Sequence, residues 1–272
     1  MDPQPPASKS DPPSPVPQTS PTAPAAPATS LTARLFNVFA TPGEVFHEVK
    51  SAPSSTANWL APALLLIVVG WLSAWLIFSQ DSIKQQLSDI SQQSVQKQID
   101  RLHMSAEQAE RSRGMAEKFG SIGYKVGAVV VPVLAGFASP FWGGLILWLV
   151  GAKVFKGNFP YLKAVEVAGL ANMIGVLEAV VKTLLIVGLG NLFASPSLAL
   201  LVKPFDPQNP VHSALAAVNI MTFWLLAVRA LGLARLSGVS FGRAAAWIFG
   251  IWTVFTGLLI GFGAALQAIF AR

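Results

Sequence analysis

Long apolar runs alternate along this chain with short polar breaks, and each run is long enough to be read as a bilayer crossing. About twenty helical residues, rising roughly 1.5 Å each, cover a hydrocarbon core about 30 Å thick. The pattern predicts spans over about 59–79, 122–151, 163–190, 212–233 and 244–270. The first opens on Trp59 and carries Trp71 and Trp75. The second is over-long and holds Pro132 and Pro140, so it either tilts and kinks or begins as an interfacial segment. The fourth contains Asn219, Trp224 and Arg229. The fifth is uncharged, and its Gly257–Gly261 GxxxG spacing is read as helix packing, not as proof of a dimer.

The run Tyr161–Leu192 departs from the rest. It is apolar overall yet carries Glu166, Asn172, Glu178 and Lys182. An ionisable group in hydrocarbon costs roughly 2.5–3.5 kcal/mol on insertion scales, so the other spans are expected to shield this one. Glu178 and Lys182 stand i, i+4 with the glutamate N-terminal, the favourable order for an ion pair. Lys182 can also snorkel toward the nearer end. Glu166 sits near the opposite end, where Lys163 or Lys153 can meet it. Glu166, Asn172, Glu178, Lys182 and Asn219 form the candidate intramembrane polar cluster. Such a cluster is either interhelical glue or a polar path for a ligand. Glue is the favoured reading, because a path needs polar groups on several spans. Only Asn219, Thr222 and Arg229, with Ser73 and Thr253, answer from elsewhere.

Outside the spans the pattern changes character. Residues 1–30 hold ten of the twenty prolines, which predicts a disordered tail that buries too little apolar surface to order. The spacing Pro12 to Pro15 is the PxxP kind, and the basic start and apolar core of a signal peptide are lacking. Residues 31–58 predict amphipathic juxtamembrane helices, with Leu31, Leu35, Phe36 and Phe39 on one face. Thr41-Pro42-Gly43-Glu44 reads as a capping box opening the second of them. These helices lie either at the headgroup boundary or on the protein's own spans. Residues 80–121 predict a helical hairpin outside the bilayer. Ile83, Leu87, Ile90, Val95, Ile99 and Leu102 recur at helical spacing, and Ser105–Gln108 forms a second capping box. Its charges nearly balance, so it reads as a solvated face with one apolar stripe, with a partner-binding coiled coil as the alternative.

Composition narrows the class. Charged residues make up 12% and hydrophobic residues 53%, against about 25% charged in soluble domains. The net charge of +6 is explained by lysine and arginine gathered on one side of a bilayer, so no nucleic-acid partner is expected. Loops two and four carry Lys153, Lys156 and Lys163, and Arg229, Arg235 and Arg243, whereas loop three has Lys203 alone. That places the N-terminus in the cytoplasm and the C-terminus outside. The basic first loop argues the other way, though its charges are offset within a long folded segment. There is no cysteine, and His47, His103 and His212 lie far apart, which leaves no metal-ligand spacing. HExxH, GxSxG and Walker motifs are absent, so neither catalysis nor a cofactor is expected.

Three stretches carry a family resemblance. They are Phe36-Asn-Val-Phe-Ala-Thr-Pro-Gly-Glu-Val-Phe46; Phe155-Lys-Gly-Asn-Phe-Pro-Tyr-Leu-Lys-Ala164; and Asn219-Ile-Met-Thr-Phe-Trp224 with the run from Val228 to Ala244. In order and spacing they resemble the bacterial branch of the Yip family (Ypt-interacting protein, Yip-one type domain) over about Leu31–Phe270. The resemblance implies five helical spans with a cytoplasmic N-terminus, in the bacterial inner membrane. Eukaryotic members are implicated in vesicle trafficking with small GTPases, but no GTPase-contact residues can be matched here. For the bacterial branch the resemblance implies no defined activity.

The expectation is an all-α integral membrane bundle of five transmembrane helices, with an extra-membrane helical hairpin and a disordered N-terminal tail. Two functions fit it. One is a non-enzymatic scaffold that organises a membrane or a protein complex. The other is a small-solute transporter or permease-like subunit using the polar groups of the third span. The lipid bilayer is a partner in either case, and a membrane-protein partner or a homo-oligomer is left open.

Overall fold

A computed structural model of the protein describes residues 29–270. The proline-rich tail, with its Pro12–Pro15 spacing, lies outside the described residues except for Thr29 and Ser30. The described chain is helical. Two short helices, α1 (Leu31–Ala40) and α2 (Pro42–Ser51), precede α3 (Ala57–Ser79). Helices α4 (Asp81–Leu102) and α5 (Ala106–Trp148) follow, and a π-turn over Leu149–Val154 ends α5. Next come α6 (Tyr161–Ala171) and α7 (Met173–Leu189), then α8 (Pro210–Ala217), α9 (Ile220–Ser237) and α10 (Phe241–Phe270).

Five stretches are long and apolar enough to cross a membrane: Ala57–Phe78, Ile122–Val154, Tyr161–Leu189, Ile220–Ser237 and Phe241–Ile269. The third of these combines α6 and α7, which run on through Asn172 in helical conformation, with the Asn172 N–H bonded to the Ala168 carbonyl and its own carbonyl to the Val176 N–H.

Helix α6 is the axis of the bundle, with nine of its eleven residues buried. Neighbours approach it closely because they meet small side chains. A Cβ on Gly144 of α5 would stand 2.8 Å from Val165, and one on Gly169 of α6 would overlap Trp59 of α3. The main core joins Val167, Leu170 and Ile174 to Phe46 of α2, Leu147 of α5 and Leu233 of α9. Val45, Phe46 and Val49 of α2 are buried, and α2 lies on α9 and α6. Of the two placements open for the juxtamembrane helices, α2 therefore takes the one on the protein's own spans.

Three expectations need correction. Thr41 does not make a capping box. Its N–H bonds the Asn37 carbonyl at 2.7 Å and its hydroxyl turns back to the same oxygen, so it closes α1 and cannot reach forward into α2. The fourth span begins at Ile220, not near residue 212. Asn219 accepts from the N–H groups of Met221 and Thr222 and caps a new helix, which leaves α8 as a separate short element. Finally, a Cβ on Gly257 or Gly261 of α10 would meet nothing within 4 Å, so among the described residues their spacing packs no helix.

The polar stretch after α3 folds into two helical arms. His103, in a left-handed conformation, ends α4. Ser105 then accepts from the Gln108 N–H at 3.3 Å while Gln108 accepts from the Ser105 N–H at 3.0 Å, a complete capping box. The second arm runs without a break through Pro132 and Pro140 into the second span.

Candidate functional site

The polar groups of the third span do not converge on one point. They form three separate layers, each satisfied by a different neighbour. Twelve residues separate Glu166 from Glu178, about 18 Å along a helix axis.

The first layer lies where α1 and α2 cover the start of α6. Lys163 and Glu166, one turn apart on α6, are 7% and 2% exposed, and Lys163 Nζ stands 3.1 Å from Glu166 Oε1. The ammonium also donates to the Val49 carbonyl of α2 at 2.8 Å. Asn58, at the start of α3, donates to Glu166 Oε2 at 2.6 Å. Its own carbonyl oxygen accepts from Arg34 at 3.4 Å, and Arg34 is paired with Glu48 at 2.8 Å. The result is a chain of two cations and two carboxylates joining α1, α2, α3 and α6, with no net charge. Burial works to raise the pKa of Glu48, but bonds from Thr29 and Arg34 outweigh it and hold the carboxyl below its ordinary value. Of the two lysines that could meet Glu166, Lys163 does so. Lys153 stands over the Trp148 ring instead.

A second layer sits at Asn172, where α6 gives way to α7. Its amide donates to Ser139 of α5 at 2.8 Å, and its carbonyl oxygen accepts from Arg229 of α9 at 2.8 Å. The Arg229 guanidinium lies across the bare backbone of Gly143. Its Nε is buried without a hydrogen-bond partner, and it meets no carboxylate among the described residues. One amide thus ties three spans at mid-depth.

The third layer is near the other end of the bundle. Glu178 accepts from Asn219 at 2.6 Å, which joins α7 to the N-cap of α9. Thr183 donates to Ser73 of α3 or to the Ala179 carbonyl, each at 2.7 Å. Lys182 is exposed and does not pair with Glu178. The expected i, i+4 ion pair is not formed, because the Asn219 amide reaches Glu178 from across the bundle. Glu166, Asn172, Glu178 and Asn219 are all engaged with other helices, while Lys182 stands apart.

Sequence reasoning placed Arg34 at the headgroup boundary and missed Asn58 and Ser139. A single amide or hydroxyl in or beside an apolar run carries no periodic signal. Only the fold reveals that Asn58 faces Glu166 from 108 residues away.

The geometry is that of a polypeptide built for a bilayer, and its family follows from the chain as a whole. A model of the Yip1 domain matches residues 36–262, from α1 to the far half of α10. The chain belongs to the Yip1-domain family. No curated protein and no solved structure matches it. This Yip1-domain protein is a multi-pass integral membrane protein whose apolar helices contact lipid. The Yip1 domain is not known as an enzyme family. In this member the layers add ties among α1, α2, α3, α5, α6, α7 and α9, and α10 remains largely outside them.

Proposed function

We propose that this Yip1-domain protein is a non-enzymatic scaffold of the bacterial inner membrane, organising a protein complex or the membrane around it. One observation carries the reading. Apart from the exposed Lys182, the candidate polar side chains of the third span are used in tying helices together. A cavity of about 1620 Å³ lies beside the helical hairpin and one of about 200 Å³ between α8 and α10. Neither is lined by Glu166, Asn172, Glu178, Lys182 or Asn219. Groups that hydrogen-bond each other in hydrocarbon contribute to helix association and leave nothing for a solute to displace.

Arg229 favours a second reading. A guanidinium with a buried, unpartnered Nε and no carboxylate among the described residues, within a membrane bundle, is the kind of group that meets an anionic solute in a transporter. One experiment separates the two. The substitutions Glu178→Leu and Lys182→Leu together, and Arg229→Met separately, are introduced into the full chain. The host's growth phenotype and the proteins recovered with the chain in mild detergent are then compared. Scaffolding expects folded variants to keep both. A folded variant that loses the phenotype while its recovered partners stay unchanged points to transport.

A further inference from the structure

The helical hairpin does not close on itself along its length. Its arms meet near the tip, where Ile99 and Ala109 are buried and Arg113 donates to Gln96 at 3.0 Å. At its base α4 turns away from α5. Ile83 is buried against Ile186 and Ala194, and Gln86 donates to the Gly190 carbonyl at 2.5 Å and accepts from the Leu192 N–H at 3.1 Å. Between base and tip the space bounded by α3, α4 and α5 is a groove of about 1620 Å³. Small-molecule pockets run to roughly 300–1,000 Å³, so this one is of lipid size.

The two ends of the groove differ in chemistry. Its floor is Trp71, Trp75 and Phe78 of α3 with Ala128 and Val129 of α5, all inside candidate membrane spans. Trp71 lies seven residues before Phe78, the end of its span, which is about 10 Å into the hydrocarbon. Its indole is fixed by donating to the Val129 carbonyl at 3.0 Å. The charged groups on the walls are Lys84, Arg113 and Lys125, and no carboxylate is among the described lining residues. Lys84 pairs with Asp81 at 2.7 Å and Arg113 stands 3.9 Å from Glu110, both on exposed surface. Lys125 has no charged partner among the described residues. A basic rim thus stands over an apolar slot that is continuous with the bilayer.

We propose that this groove holds an anionic phospholipid taken laterally from the surrounding bilayer, with an acyl chain on the tryptophan floor and the phosphate beside Lys84 and Lys125 at its base, Arg113 lying about 18 Å further along α5 toward the tip. A lipid already in the membrane reaches the floor without crossing water, and its headgroup arrives at the level of Lys84 and Lys125. Basic groups at a membrane surface attract anionic headgroups additively, so Lys84 and Lys125 discriminate by charge. The proposal does not depend on the scaffolding reading.

The test uses the full chain in mild detergent micelles doped with equal amounts of phosphatidylglycerol and phosphatidylcholine, with retained lipid counted by native mass spectrometry. The wild-type protein is expected to retain phosphatidylglycerol with roughly thirtyfold preference. The double variant Lys84→Gln, Lys125→Gln should lose that preference. Ala128→Trp, which fills the floor and leaves the cations in place, should lose the retained lipid itself. Equal retention of the two lipids by the wild type overturns the proposal. So does phosphatidylglycerol preference that survives in the double variant, or retention unchanged in Ala128→Trp. A photoreactive group at Ser91 in membranes should capture lipid, and capture of polypeptide in its place would also sink it.

Discussion

Glu166 and Lys163 show what a charge in the membrane bundle needs. Each is nearly fully buried, each has the other at 3.1 Å, and each has a second partner, Asn58 for the carboxylate and the Val49 carbonyl for the ammonium. Removing one member of a buried pair leaves the other uncompensated and costs about 3–5 kcal/mol, whereas replacing both by apolar groups of similar volume is often close to neutral. Glu166→Leu is therefore expected to destabilise the protein strongly, and Lys163→Met with Glu166→Met far less. Thermal melting of the purified protein in detergent is the measurement. Equal losses for the single and the double variant would show that the ion pair is not what holds this layer. The same layer marks how far residue-level reading of the sequence reaches. The meeting of Lys163 with Glu166 is legible because both lie on one helix, one turn apart. The reach of Asn219 to Glu178 is not, since the i, i+4 lysine is the nearer candidate on paper. Its failure follows from a helix that the chain adds 41 residues later.

At the scale of elements, glycines divide into those a helix needs and those it merely contains. Gly169 sits where α6 crosses α3, and a Cβ there overlaps the Trp59 backbone, which no side-chain rotation can relieve. Gly257 and Gly261 form the more conspicuous motif, yet a Cβ on either meets nothing within 4 Å. Gly169→Ala is accordingly expected to cost about 1–3 kcal/mol, the usual range for overpacking. Gly257→Ala with Gly261→Ala should leave the melting temperature of the detergent-solubilised monomer unchanged. A motif alone could not make this distinction, because spacing says that a close approach is allowed and not that a partner is present. Element ends show the same limit. The Ser105–Gln108 capping box could be read from the sequence because both its bonds are local. The start of α9 could not, because the apolar run continues across Asn219 and hides the cap. Nor could Thr41, whose hydroxyl is taken by the helix that precedes it.

For the molecule as a whole, an odd number of spans has a consequence that the contacts already reflect. Lys50 of α2 donates to the Arg235 carbonyl at the end of α9 at 2.9 Å, and a Cβ on Gly157 would stand 3.1 Å from Ser237. These join the segments before span one, after span two and after span four on one face. Lys97 of the hairpin donates to Gln208 at 2.9 Å, which joins the segments after spans one and three on the other. That alternation was legible in the apolar runs, since hydrocarbon thickness fixes their length whatever packs beside them. The groove beside the hairpin was not, because it depends on α4 leaning toward the loop after α7 and away from its own partner arm. The chain has no cysteine, so single cysteines report the sidedness cleanly. Positions Gln98, Gln208, Lys156 and Ser240 are all exposed. With the N-terminus in the cytoplasm, Gln98→Cys and Gln208→Cys should react with a membrane-impermeant maleimide in intact cells. Lys156→Cys and Ser240→Cys should react only after the membrane is opened. The reverse pattern would invert the orientation and leave five spans intact. Labelling of Gln98→Cys and Ser240→Cys from the same side would mean that the three apolar runs between them do not all cross, and the bundle built on α6 would have to be redrawn.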